Sequence, residues 1–251
     1  MHCYRQKENG MYILSKSEIE QIATKKLQEY SPSNLERPMP LRTTDFLQNY
    51  LGLMIKYKYI CDFQSGILGL TVMGDEVPVP SYDELLRPVV LEETFGTVLI
   101  SPQLLGRDHS ARRRYTEIHE GAHFILHQPF FANCEKVAAA ARCEYPCSFV
   151  ACRKIELHNE KPKTDSGWLE YQADALAAAL LMPQNVFHSY VRSVLRKNGI
   201  HFNCLYTHSN INDRRAHSVI YDVAKTFAVS YQAAKIRMTH LGLLRESNLR
   251  Y

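Results

Sequence analysis

The chain has 251 residues, 45% apolar and 22% charged, with a formal net charge of +4, the balance of a soluble globular protein with one substantial core, or a core and a small appendage. Its longest apolar run, ALAAALLMP from Ala175 to Pro183, falls short of the about 20 residues that cross a bilayer, and the opening MHCYRQKENG lacks the apolar stretch of a secretion signal. A membrane protein and a membrane partner are thereby set aside, the expected location is cytoplasmic, and the odd number of cysteines, seven, points to reduced thiols rather than a disulfide framework.

The first periodic segment is SKSEIEQIATKKLQEY, residues 15–30, where Ile19, Ile22, Ala23 and Leu27 fall on one stripe of a helix, with serines placed to cap it. The proline-rich SPSNLERPMPLR ends that helix, and TTDFLQNYLGL reads as a second, short one. Alternation then replaces helical spacing: LMIKYKYICDF, GILGLTVMGDEVPVP and GTVLIS, punctuated by Gly and Pro, predict a small twisted sheet of three to five strands. After LLGRDHS the helical period returns through residue 127, and again over 168–182 and around 184–197. Pro129, Pro146 and Pro162 argue against a continuous helix over 129–166. Helices, then a sheet, then helices give an α+β fold.

The chemistry-bearing stretch is RRRYTEIHEGAHFILHQ, residues 112–128. His119-Glu120-Gly121-Ala122-His123 has the form H-E-x-x-H, which on a helix puts two imidazoles one turn apart on the same side. Glu120, offset by about 100°, can reach a water near an ion without ligating it. A catalytic zinc needs three protein ligands and an open position. The third is best sought in GWLEYQADALAAALLMP, where Glu170 and Asp174 stand four apart on a predicted helix. One carboxylate can bind the ion while the other accepts the N–H of a ligating imidazole and fixes its tautomer. His127 lies a further turn along and is read as a capping or supporting residue, with a third-ligand role as the weaker alternative. Gly121, unfavourable in a helix by about 1 kcal/mol, is expected where a strand or a substrate backbone approaches closely.

Cys134, Cys143, Cys147 and Cys152, spaced C-x8-C-x3-C-x4-C, match structural zinc spacing only in part and are read as small buried hydrophobes rather than a second metal site. Residues 193–251 carry nine Lys or Arg against three Asp or Glu. That basic segment reads as a solvated face, with an acidic partner or nucleic acid as the alternative. Within it, IYDVAKTFAVSYQAAKIRMTH has helix–turn–helix spacing. Ala228-Val229 falls at the turn, Ser230 at an N-cap, Ala234 and Met238 inward, and Lys235, Arg237 and His240 where phosphates or bases would be met. A hairpin that only packs on the rest of the protein is the favoured reading.

The two metal motifs together resemble those of the ImmA/IrrE family of gluzincin-like zinc metallopeptidases. In that family an H-E-L-G-H-like helix precedes E-x-x-A-[ND]-x-[FL]-A-x-x-L-L-M-P. SEIEQIATKKLQEY, the GILG and GTVLIS strands, and VAKTFAVSYQAAKIRMTHLGLL are similar to other segments of the family. The resemblance implies a zincin-like peptidase over 1–192, its small sheet packed on the H-E-x-x-H helix beside a second ligand-bearing helix, followed by a helical segment over 193–251. It makes His119, His123 and Glu170 the zinc ligands and Glu120 the catalytic carboxylate. Asp174 stands where the family has Asn or Asp. Zinc is the implied cofactor, and a site of this composition also suits manganese. The implied activity is endopeptidase cleavage of a protein substrate, a transcriptional repressor of a phage, mobile element or stress response. The competing expectation is a DNA-binding regulator with a structural or degenerate metal site; an intact Glu120 speaks for the enzyme, since a structural site needs no base. Gly121-Ala122 stands where Leu-Gly is common, Tyr115 replaces a usual Phe, and the stretch 128–167 is longer than in a minimal member.

Overall fold

A computed structural model describes residues 4–60, 66–141, 149–152, 162–208 and 214–247, with side chains described outside 134–152, 207–208 and 246–247. The readings of Cys3, Cys61, Cys134, Cys143, Cys147 and Cys152 therefore lie outside what is described, while Cys204 is a free, half-buried thiol. In chain order the first elements are α1 (Lys16–Tyr30), α2 (Ser33–Glu36), and α3 (Thr43–Asp45), which runs on as a π-helical turn over Phe46–Tyr50. Five strands follow: β1 (Met54–Tyr57), β2 (Gly69–Val72), β3 (Val77–Tyr82), β4 (Pro88–Glu93) and β5 (Thr97–Ile100). Then come α4 (Ser110–Ala141), β6 (Phe149–Cys152), α5 (Asp165–Leu181) and α6 (Gln184–Lys197). The chain closes with β7 (Leu205–His208), α7 (Arg214–Phe227), α8 (Tyr231–His240) and β8 (Leu244–Ser247). The fold is of the mixed α+β class, and no helix among the described residues is long and apolar enough to cross a membrane.

The chain divides into two compact units, one of Met1–Ile19 with Arg42–Ala177 and the other of Glu20–Leu41 with Ala178–Tyr251. The second unit therefore holds α6 and most of α1 together with the C-terminal helices.

In the first unit a four-stranded mixed sheet has the order β1-β5-β2-β6. β1 runs parallel to β5, and β2 lies antiparallel to both β5 and β6. The central strands GLTV and TVLI are buried at every residue, whereas the edge strand β1 is half-exposed. This explains why the central strands read as continuous apolar runs and the edge alternates. β3 and β4 form a separate antiparallel pair. The helix α4 packs on β2 and β5, and Thr71 Oγ1 of β2 lies 3.1 Å from the Glu120 carbonyl. On another part of α4, buried Glu117 accepts from Thr43 Oγ1 at 2.5 Å, which ties α3 to the same helix. At the start of α1, Ser15 and Glu18 form a reciprocal capping box: Ser15 N–H donates to Glu18 Oε2 at 2.7 Å and Glu18 N–H to Ser15 Oγ at 3.2 Å.

Two expectations change here. α4 does not stop near residue 127 but runs through Pro129 to Ala141. A proline removes one amide donor and can be carried inside a helix when the neighbouring bonds hold. β6, β7 and β8 are four-residue strands that the sequence pattern did not distinguish from loops.

In the second unit, α7 and α8 form the hairpin foreseen from the spacing. Ser230 caps α8 by accepting the Ala233 N–H at 3.1 Å, and Ala234 and Met238 are fully buried. Ala228 adopts φ +50°, the left-handed conformation that glycine usually supplies at such a turn. Arg237 is where the reading fails. It is 5% exposed, and its guanidinium grips Glu20 through Nη1–Oε1 at 2.6 Å and Nη2–Oε2 at 2.9 Å. Its Nε and Nη2 also donate to the Met182 carbonyl at 3.2 and 2.9 Å. A side chain so saturated inside its own unit does not face phosphates.

Candidate metal centre

Helix α4 carries His119, His123 and His127 at steps of four, and all three side chains are buried, each at 1% exposure or less. Such a stripe would be costly if its nitrogens went unpaired. Instead each ring nitrogen faces a polar atom. His119 Nδ1 lies 2.9 Å from Asp174 Oδ1, and His123 Nδ1 lies 2.9 Å from His127 Nδ1. His127 Nε2 lies 3.3 Å from Gln172 Oε1. The remaining nitrogens, Nε2 of His119 and Nε2 of His123, point at each other across 2.9 Å. Glu170 closes the group: its Oε2 is 3.3 Å from His119 Nε2 and its Oε1 is 3.3 Å from His123 Nε2. These ligand-type atoms of His119, His123 and Glu170 all lie within 4.8 Å of one another.

The carboxylates come from the facing helix α5, where Glu170 and Asp174 share one side because they are four residues apart. Both are about one-third exposed, so the group is buried on the imidazole side and open on the carboxylate side. Burial alone would raise the Glu170 carboxyl, but the two imidazoles outweigh it and hold it below the usual carboxylate range. Burial pushes the His123 imidazole down, and burial together with the neighbouring His123 holds His127 well below the usual value.

This donor set fits a divalent cation. As a carboxylate, Asp174 accepts only, so His119 carries its proton on Nδ1 and a neutral ring presents a lone pair on Nε2. Two imidazole nitrogens and a carboxylate aimed at one point share protons in the metal-free protein, as the lowered Glu170 carboxyl reflects, and can chelate a cation in place of those protons. Two nitrogens and one carboxylate, with one side open, is also the composition of a catalytic rather than a closed structural zinc site.

Glu120 is fully buried beside this group. Thr71 Oγ1 donates to its Oε2 at 2.6 Å, while its Oε1 has no hydrogen-bond partner among the described residues. Burial pushes its carboxyl up to about 8, against the opposing pull of His119 and of the Thr71 hydrogen bond. The close approach of β2 is possible because residue 69 is glycine: a Cβ there would stand 2.5 Å from Glu120 Oε1 and 2.7 Å from Thr116 Cγ2. Gly121 answers to something else than expected. A Cβ at that position would meet Leu47 Cδ2 at 2.4 Å, so its neighbour is a core side chain and not a strand or a substrate.

Sequence reasoning missed four contributors: Thr71, Gly69, Gln172 and Tyr12, whose carbonyl accepts from Gln172 Nε2 at 2.7 Å. Gln172 is a polar residue inside an Ala-rich apolar helix, and that oddity was the available signal. Tyr115 donates its hydroxyl to Asp174 Oδ1 at 3.0 Å. Tyr171 packs edge-on against Trp168, with ring centres 5.5 Å apart. Compared with models of known protein families and with curated proteins, the chain matches neither.

Proposed function

We propose that the protein is a zinc-dependent metalloendopeptidase, with His119, His123 and Glu170 as ligands and Glu120 as the general base. The observation that carries this reading is the convergence of two imidazole Nε2 atoms and the Glu170 carboxylate within 4.8 Å, beside a buried carboxylate with one unpartnered oxygen. A structural site would have no use for that oxygen.

Bound zinc supplies Lewis acidity and brings water ionisation near neutral pH. The protein's own residues then have separable tasks. Thr71 holds Glu120 Oε2, leaving Oε1 to take a proton from the attacking water and return it to the leaving amine. Burial raises the Glu120 carboxyl, which makes it a stronger base than an exposed glutamate. Asp174 orients His119, and Tyr115 orients Asp174. The exposed sides of Glu170 and Asp174 mark the face from which a peptide reaches the site.

The sequence resemblance extends the proposal to a transcriptional repressor as substrate. Manganese is the alternative metal. Incubating candidate repressors with the zinc-loaded protein, the chelator-treated protein and Glu120→Gln tests both parts. Cleavage by the first alone supports the reading; cleavage by Glu120→Gln at the wild-type rate contradicts it. The DNA-binding alternative gains nothing from Arg237, whose guanidinium is committed to Glu20 and Met182.

A further inference from the structure

We propose that His127 and Gln172 form a neutral relay that fixes His123 in its metal-binding tautomer, anchored on the backbone carbonyl of Tyr12; the proposal rests on the metal reading above. The starting point is unambiguous. A carbonyl can only accept, so at Tyr12 O, 2.7 Å away, the Gln172 amide presents its NH2. Its Oε1 then faces His127 Nε2 at 3.3 Å and must accept, which places the His127 proton on Nε2. His127 Nδ1 is left as an acceptor, and the 2.9 Å contact to His123 Nδ1 requires the proton to sit on His123. A neutral His123 therefore bears its lone pair on Nε2, the atom that faces His119 Nε2 and Glu170. The reverse order would need a second NH2 on Gln172 or a donating carbonyl, and neither exists.

The two ligating histidines are thus oriented by different means. His119 is held by a charged carboxylate that is itself partly exposed. His123 is held by a buried uncharged chain that ends on main chain near the N-terminus, 160 residues from Gln172. His127 and Gln172 are positioning residues, since neither is placed among the atoms that converge on the ion. The arrangement orders a proton without placing another negative charge next to the ligands.

The test uses the full chain and zinc. Affinity is measured by competition with a chromophoric chelator for wild type, His127→Leu, His127→Gln and Gln172→Leu. Imidazole 15N shifts of the metal-free protein report which nitrogen of His123 carries the proton. Loss of a group that orients a ligand lowers metal affinity by about 10–100-fold, and both leucine variants are expected in that range. His127→Gln, whose amide can accept from His123 and donate to Gln172, is expected to recover most of the loss. In wild type the His123 proton is expected on Nδ1. Wild-type affinity in His127→Leu, no recovery in His127→Gln, or a His123 proton on Nε2 would each overturn the relay. If His127→Leu does not fold, Gln172→Leu and the nitrogen shifts decide on the same terms. If wild type binds no zinc, the metal reading falls, and the nitrogen shifts alone then decide whether the relay stands.

Discussion

Two buried polar groups in this protein look alike in the sequence and differ in what they leave unsatisfied. In the second unit, Arg237 of α8 is almost fully buried, yet its guanidinium is answered on every side by Glu20 and the Met182 carbonyl. In the first unit, the imidazoles of α4 are equally buried, but their outer nitrogens are answered only by hydrogen-bond partners that turn the inner ones toward a common point. The first pattern closes on itself and stabilises a fold. The second gathers two imidazole nitrogens and a carboxylate around one point, beside a Glu120 oxygen that has no hydrogen-bond partner among the described residues. Burial of a charged or basic residue thus says little about function; the direction of the unsatisfied atoms says more.

The largest expected effect sharpens the functional side of that contrast. Glu120→Gln should keep stoichiometric zinc and lose about 10²–10⁴-fold in turnover, the range for a general base, measured with any peptide the wild type cleaves. Next is a stability effect of the same residue in the metal-free protein. Its folded carboxyl titrates at about 8, above the unfolded value near 4.3. Between those values the folded state holds a proton that the unfolded state has lost, so stability falls as pH rises through the window and levels off above about 8. The size is on the order of 5 kcal/mol over the whole window, about 4 of it between pH 5 and 8, at about 1.4 kcal/mol per pH unit. Urea unfolding of the metal-free protein from pH 5 to 8 measures it, and Glu120→Gln should remove that part of the slope.

On the structural side, Arg237→Met strands Glu20 without its partner and should cost about 3 kcal/mol in urea unfolding, while the folded variant still takes up one zinc. A loss of zinc binding there would break the distinction between the two groups. Smallest is Gly69→Ala. The added Cβ meets Glu120 and Thr116 at under 3 Å, and overpacking of this kind costs about 1–3 kcal/mol. Because the clash falls on Glu120, turnover should drop more than stability does.

The parts of the site that could be read from the sequence are those fixed by helical period alone. His119 and His123 share a face because they are four apart, and so do Glu170 and Asp174; no tertiary knowledge is needed. That the two faces meet was an inference from residue chemistry, and the structure brings them to 3.3 Å. Thr71, Gly69, Gln172 and Tyr12 were beyond reach because their roles depend on which strand or turn comes to lie beside α4 and α5, a matter of long-range packing. Arg237 was misplaced for the same reason: helical spacing gives a face, and only packing decides whether that face meets solvent or Glu20. The helix expected to end near residue 127 runs through Pro129 to Ala141, while the expectation that 129–166 is not one continuous helix holds, because β6 interrupts the stretch.

The most direct test of the central claim is a zinc titration of the metal-free protein against a competing chelator, for wild type, His123→Ala and Glu170→Ala. The account predicts one tightly bound zinc per wild-type chain and a loss of that tight site in both variants. A wild-type chain that binds no zinc, or a Glu170→Ala chain that binds it as well as wild type, would contradict it.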